Sequence, residues 1–235
     1  MKYRLLPLVL FFLFSFTTNN KIKSYTLDKV GSKVSSVEIE AESLYSQLRG
    51  NQFSLPTCES FTEAITGFYQ FKERGLIQKD LLTIIDFSLS SNVKRLWIID
   101  MATKNVLMNT YVSHGRNTGE EFANSFSNEN SSFKSSLGFY TTAEVYQGKH
   151  GLSLKLDGQE KGVNDKARAR GIVMHAADYV SPEFIKNNKR LGRSQGCPAV
   201  PVELTPQIVD MIKDKSCLFI YHPSRTYKGD YKTIL

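Results

Sequence analysis

From about Leu81 onward the chain breaks into short runs of β-branched, aromatic and other apolar residues, each closed by Asn, Gly, Asp or Ser. That texture restricts this part to a sheet domain, because side chains of this type favour the pleated backbone and the intervening residues favour turns. The runs are Leu81 to Phe87, Arg95 to Asp100, Val106 to Ser113, Gly138 to Tyr146, Leu152 to Leu156, Gly171 to His175 and Cys217 to Tyr221. The second and third, joined by Met101 to Asn105, read as an antiparallel hairpin with a longer turn. The expected fold is mainly β and mainly antiparallel. Two helices interrupt it: one over 205–213 with apolar Leu204, Ile208, Val209, Met211 and Ile212, and a short one over 182–187 with Ser181 as N-cap and Pro182 at the first helical position.

The first eighty residues follow another pattern. Lys2 and Arg4 precede an apolar stretch from Leu5 to Phe14, too short to span a bilayer comfortably, so residues 1–18 read as a secretory signal peptide. Ser15-Phe16-Thr17 matches a small-x-small cleavage pattern only loosely, which leaves an uncleaved membrane anchor as the alternative. Residues 19–37 have the polar, Ser/Lys-rich composition of a flexible tether. Residues 38–80 read as a helical subregion: Val37, Ala41, Leu44, Tyr45 and Leu48 have helical spacing, and Ser60-Phe61-Thr62-Glu63 has capping-box spacing ahead of Ile65, Phe68 and Phe71. Residues 81–235 form the sheet domain.

A formal charge of +7 is compatible with polyanionic partners, but the Lys and Arg residues are scattered and no nucleic-acid-binding motif accompanies them. No nucleic-acid partner is expected. Three cysteines in an exported chain allow at most one bridge; if one forms, pairing Cys58 with Cys217 leaves Cys197 free. No metal-ligand spacing or phosphate-binding loop is present, so neither a metal nor another cofactor is expected.

Chemistry concentrates at Arg193-Ser194-Gln195-Gly196-Cys197-Pro198 and at Gly171-Ile172-Val173-Met174-His175. A thiol just after a glycine is presented from an exposed turn, and a histidine ending an apolar run stands where a strand can aim it at that sulfur. The imidazole would take the thiol proton and hold a thiolate/imidazolium pair, and backbone N–H groups around Gly196 and Cys197 would form an oxyanion site. Gly196 removes a side chain that would block a carbonyl. The alternative on these residues alone is a buried turn cysteine and a strand-end histidine.

His175 followed by Ser194-x-Gly196-Cys197 resembles the signature of L,D-transpeptidases with a YkuD-type catalytic domain. The resemblance extends through Ser113-His114-Gly115, Ser135-Ser136-Leu137-Gly138-Phe139-Tyr140, Gly148-Lys149-His150-Gly151, Asn164-Asp165-x-Ala167-Arg168-x-Arg170 and Cys197-Pro198-Ala199, and it is strongest for the murein L,D-transpeptidase branch. It covers about residues 85–222. Ala199 departs from the better-known branch, which carries arginine or asparagine there.

The resemblance implies an antiparallel β-sandwich or barrel-like catalytic domain and acyl transfer on peptidoglycan stem peptides, in the periplasm or cell envelope. Cys197 would be the nucleophile and His175 the base, with the backbone carbonyl of Ala176 orienting the imidazole and Ser194 and Gly196 shaping the turn. Transfer to water instead of an amine would make it an L,D-carboxypeptidase, and an inert thiol would leave a wall-binding module. His114, Tyr140, Asn164, Arg168 and Arg170 are candidates for binding the stem; against each stands a purely structural role, and His150 reads as a hairpin-turn residue. A papain-like hydrolase would need the cysteine before the histidine, the reverse of the order here. Oligomeric state is left open.

Overall fold

One curled sheet of eight strands, in the order β3-β2-β1-β8-β4-β5-β6-β7, organises the protein in a computed structural model that describes residues 36–225. The strands are β1 (Leu81–Asp86), β2 (Leu96–Asp100), β3 (Asn105–Thr110), β4 (Gly138–Gly148), β5 (Gly151–Gly158), β6 (Val173–Ala176), β7 (Ala199–Val200) and β8 (Cys217–Tyr221). Four α-helices accompany them among the described residues: α1 (Ser36–Ser46), α2 (Cys58–Glu73), α3 (Pro182–Asn188) and α4 (Thr205–Ile212). The expected signal peptide and the tether up to residue 35 lie outside the described residues, and the last two tether positions, Ser36 and Val37, open α1. No helix among the described residues is long and apolar enough to cross a membrane.

The sheet is mixed. Parallel pairings of β1 with β8 and of β6 with β7 interrupt an otherwise antiparallel ladder. The β1–β8 pair sits at the centre because both strands are apolar on both faces, which suits a site covered from two sides. Ile85, Leu218 and Ile220 point with Leu96, Ile98, Leu154, Leu156 and Met174 into the curl. Leu82, Ile84, Cys217 and Phe219 point the other way, into a second core shared with Phe61, Ile65, Phe68 and Phe71 of α2. Burying each of those α2 phenylalanines contributes roughly 1.5–3 kcal/mol. Gly67 lets the helix settle, because a Cβ there would stand 2.2 Å from the Phe139 ring.

The N-cap of α2 is Thr57, whose hydroxyl accepts from the Ser60 N–H at 3.3 Å; the capping-box reading placed the cap three residues too late. Ser60 is inside the first turn and fully buried. Ser181 caps α3 as expected, accepting from the Phe184 N–H at 3.2 Å. All three cysteines are free, so the conditional Cys58–Cys217 bridge is not formed: Cys217 is packed in the core on β8, and the Cys58 sulfur lies 3.9 Å from the Thr62 hydroxyl within α2.

The curl almost closes on itself. Just beyond β3, the Ser113 N–H donates to the Ala199 carbonyl at 2.9 Å, so β7 is bonded to β6 on one side and to this segment on the other. Of the two architectures expected, the barrel-like one is present. β7 was not anticipated, since two residues carry no periodic signal; the near-closure makes it a strand.

Candidate active site

β6 delivers the histidine. Along Val173–Ala176 alternate side chains face opposite ways, so Met174 enters the core while His175 turns to the cavity side, between Ser153 of β5 and Ala199 of β7. Its Nδ1 lies 2.9 Å from the Ala176 carbonyl oxygen. A carbonyl only accepts, so Nδ1 carries the proton and donates, leaving Nε2 as the basic nitrogen.

The cysteine stands in the turn entering β7, and polar clamps fix that turn. The Ser194 hydroxyl donates to the Cys197 carbonyl at 2.6 Å and accepts from the Gly196 N–H at 3.0 Å. The Ser135 hydroxyl donates to the Gly196 carbonyl at 3.1 Å and accepts from the Gly115 N–H at 3.0 Å. Gly196 has φ +121°, and a Cβ there would meet the Lys134 carbonyl oxygen at 2.8 Å, so only glycine fits the turn. Ser135 is the positioning group that sequence reading missed, since a serine acting as a backbone clamp leaves no local signature.

Both groups line one cavity of about 590 Å³, together with His150, Lys149, Arg170 and Tyr179. The Cys197 sulfur accepts from the Val173 N–H at 3.5 Å and donates to the Gly171 carbonyl at 3.7 Å; its hydrogen bonds go to backbone and none to His175. Burial pushes the thiol above its ordinary range, against the opposing pull of the Val173 N–H and the Arg170 charge. Burial, reinforced by the charge of His150, holds His175 below its ordinary range, although its bond to the Ala176 carbonyl works the other way. Both shifts favour neutral partners. Desolvation thus works against the expected thiolate/imidazolium pair from both sides.

The five residues expected to bind substrate separate sharply. Arg170 lines the cavity, but its guanidinium donates to the Lys134 carbonyl at 2.6 Å, the Ser127 carbonyl at 2.9 Å and the Ser136 hydroxyl at 3.0 Å, so it ties the 127–136 segment to the cavity wall. His114 is buried and does not reach the cavity. Its Nδ1 accepts from Arg95 at 2.8 Å and its Nε2 donates to the Gly119 carbonyl at 3.2 Å; burial first and the Arg95 charge second hold the ring neutral down to about 3, against the opposing pull of the Gly119 bond. Tyr140 is fully buried with its hydroxyl on the Ser136 carbonyl at 3.0 Å. Asn164 is likewise buried, donating to the Leu137 and Phe139 carbonyls, each at 2.9 Å. Arg168 is exposed outside the cavity, paired with Asp157 and Glu144. For these four, internal hydrogen bonds use the groups that substrate contact would need.

The profile of the L,D-transpeptidase catalytic domain matches residues 55–221. The chain belongs to this family. The match begins before α2. Among solved structures, the chain is similar to an L,D-transpeptidase from Mycobacterium smegmatis at 12% identity and TM-score 0.38, with 61% of this chain and 59% of that one covered. It is similar to Bd1075 of Bdellovibrio bacteriovorus at 16% identity and TM-score 0.39, covering 61% and 48%. A third similarity is to the helical cell shape determining protein Pgp2 from Campylobacter jejuni, at 12% identity and TM-score 0.40, covering 65% and 55%. The chain thus covers less than two thirds of the length of each of these structures. No curated protein sequence matches it.

Proposed function

We propose that this L,D-transpeptidase family member is an exported cysteine acyltransferase acting on peptidoglycan stem peptides in the periplasm or cell envelope. The observation that carries the reading is the shared cavity of Cys197 and His175, with the imidazole held by the Ala176 carbonyl so that Nε2 is the free base. Export rests on the basic and apolar character of residues 1–18, followed by a tether and the catalytic domain.

Burial favours the protonated thiol, so attack and proton transfer are coupled. Cys197 Sγ bonds to the carbonyl carbon on the L-side of an L,D peptide bond as its proton passes to His175 Nε2. The Cys197 N–H, which has no acceptor among the described residues, donates to the resulting oxyanion. The intermediate collapses, the C–N bond breaks, and His175 returns the proton to the departing amine of the D-residue. A second stem's amine then attacks the thioester and gives its proton to His175, which reprotonates the leaving sulfur. Ser194, Ser135 and Gly196 hold the turn through this cycle, and Arg170 braces the facing wall.

Incubating the purified chain with tetrapeptide muropeptides and weighing the products tests the reading. Crosslinked dimers that disappear in Cys197→Ala are the expected result. Tripeptides alone would replace transfer by trimming, and unchanged substrate with equal alkylation of all three cysteines would leave only a wall-binding module.

A further inference from the structure

His150 belongs to the tip of the β4–β5 hairpin, where Gly148 pairs with Gly151 and only Lys149 and His150 lie between. Gly151, at φ +74°, supplies the left-handed residue that a turn this tight requires. This geometry lays the His150 ring on the His175 ring, with centroids 4.5 Å apart and planes 25° from parallel. Nitrogen–hydrogen bonds lie in the ring plane, so near-parallel rings cannot pass a proton directly between them. Contact is through the faces. His175 is thus fixed twice: along one edge by the Ala176 carbonyl and across one face by His150.

We propose that His150 is a positioning residue for His175, holding the imidazole in the plane that presents Nε2 to the cavity, and that protonation of His150 switches the base off. The inference rests on the acyl-transfer reading in taking His175 as the base. During attack His175 must accept the Cys197 proton and become a cation; a second cation stacked on its face opposes that step. Little offsets the repulsion. The titratable and charged groups around the cavity are Lys149 on the same tip, Tyr146 on β4, Arg170 before β6, Tyr179 after it, and Arg193, which is paired with Glu120, and Cys197 on the turn into β7; among the described residues no Asp or Glu lines the cavity. A cation on His150 therefore meets further positive charge and no carboxylate. Two histidines that must both be neutral make the acid limb of the rate steeper than one titration.

Two variants separate the stacking from the charge. His150→Phe keeps an aromatic face and cannot be protonated; His150→Ala removes both. With the full chain and tetrapeptide muropeptide, His150→Ala is expected to lower kcat about tenfold while KM stays within about twofold, and His150→Phe to keep kcat at neutral pH within about threefold. The acid limb in His150→Phe is expected to flatten to a single titration. Independently of turnover, the His175 ring protons, followed by NMR against pH, are expected to titrate at higher pH in His150→Phe than in the wild type. An unchanged His175 titration and unchanged acid limb in His150→Phe overturn the charge coupling, and a loss in His150→Ala confined to KM overturns the positioning role. A wild-type chain without turnover would instead sink the acyl-transfer reading, with the NMR titration still deciding whether the two rings are coupled.

Discussion

The centre of the sheet and its β6–β7 edge are built by different physics. At the centre, β1 and β8 are buried on both faces, and Phe61, Phe68, Phe71 and Phe219 pack a core in which no single contact is indispensable to direction. At the edge, strands of four and two residues flank the proposed reactive pair, and the Cys197 turn is placed by the Ser194 and Ser135 hydroxyls and by the near-closing bond from Ser113 to Ala199. Apolar burial is non-directional and stabilises by area; hydrogen bonds are directional and fix atoms. The lesson is that this molecule separates stability from placement, and the two should fail independently when perturbed.

The strongest break is chemical. Cys197→Ala is expected to reduce acyl transfer more than about a thousandfold while circular dichroism and the thermal midpoint stay near the wild type, because only the sulfur is removed. Phe68→Ala acts on the other region: a loss of about 3–5 kcal/mol in denaturant unfolding is expected, with kcat per folded molecule unchanged within about twofold. A fall in kcat beyond that would show that the centre also tunes the edge. Ser194→Ala should do the reverse, lowering kcat by about tenfold to a hundredfold through a misplaced turn while the midpoint moves little; large destabilisation instead would merge the two regions.

A smaller effect sharpens the comparison through pH. His114, next to the segment bonded to β7, is held neutral by burial and by the Arg95 charge, with its titration displaced from 6.5 to about 3. Below 6.5 the unfolded chain takes up a proton there and the folded chain does not, so the stability associated with the neutral ring is present above that pH and lost as pH falls towards about 3. His114→Gln, which retains a donor and an acceptor without titrating, is expected to flatten the fall in thermal midpoint over that range. Least of all, Arg168→Ala should move the midpoint by less than about 2 °C and leave kcat alone, since its ion pairs are solvent-exposed and outside the cavity.

Strand runs and helix periodicity were legible because side-chain alternation and capping are local: β1, β2, β4, β8 and α3 fall close to their expected spans. The Thr57 cap was displaced because Ser60 offers the same chemistry three residues on, and only the observed backbone distinguishes them. Cys197 and His175 stood out as residue types suited to acyl transfer. Arg170 was found for its charge, although its guanidinium braces a wall. His114, Tyr140 and Asn164 are buried on internal hydrogen-bond partners, which sequence could not foresee, because a polar side chain suited to a ligand is equally suited to buried carbonyls.

The order of residues alone determined the strand-rich domain, the glycine turn bearing a thiol and the histidine at a strand end, because backbone sterics and hydrophobic alternation act over a few positions. Tertiary structure decided what those groups are. Curling of the sheet brought β6 to β7 across 22 intervening residues, between Ala176 and Ala199. It laid His150 on His175 and buried His175 and Cys197 so that desolvation favours the neutral form of each. Desolvation and stacking arise between segments distant in the chain, and no local pattern encodes them.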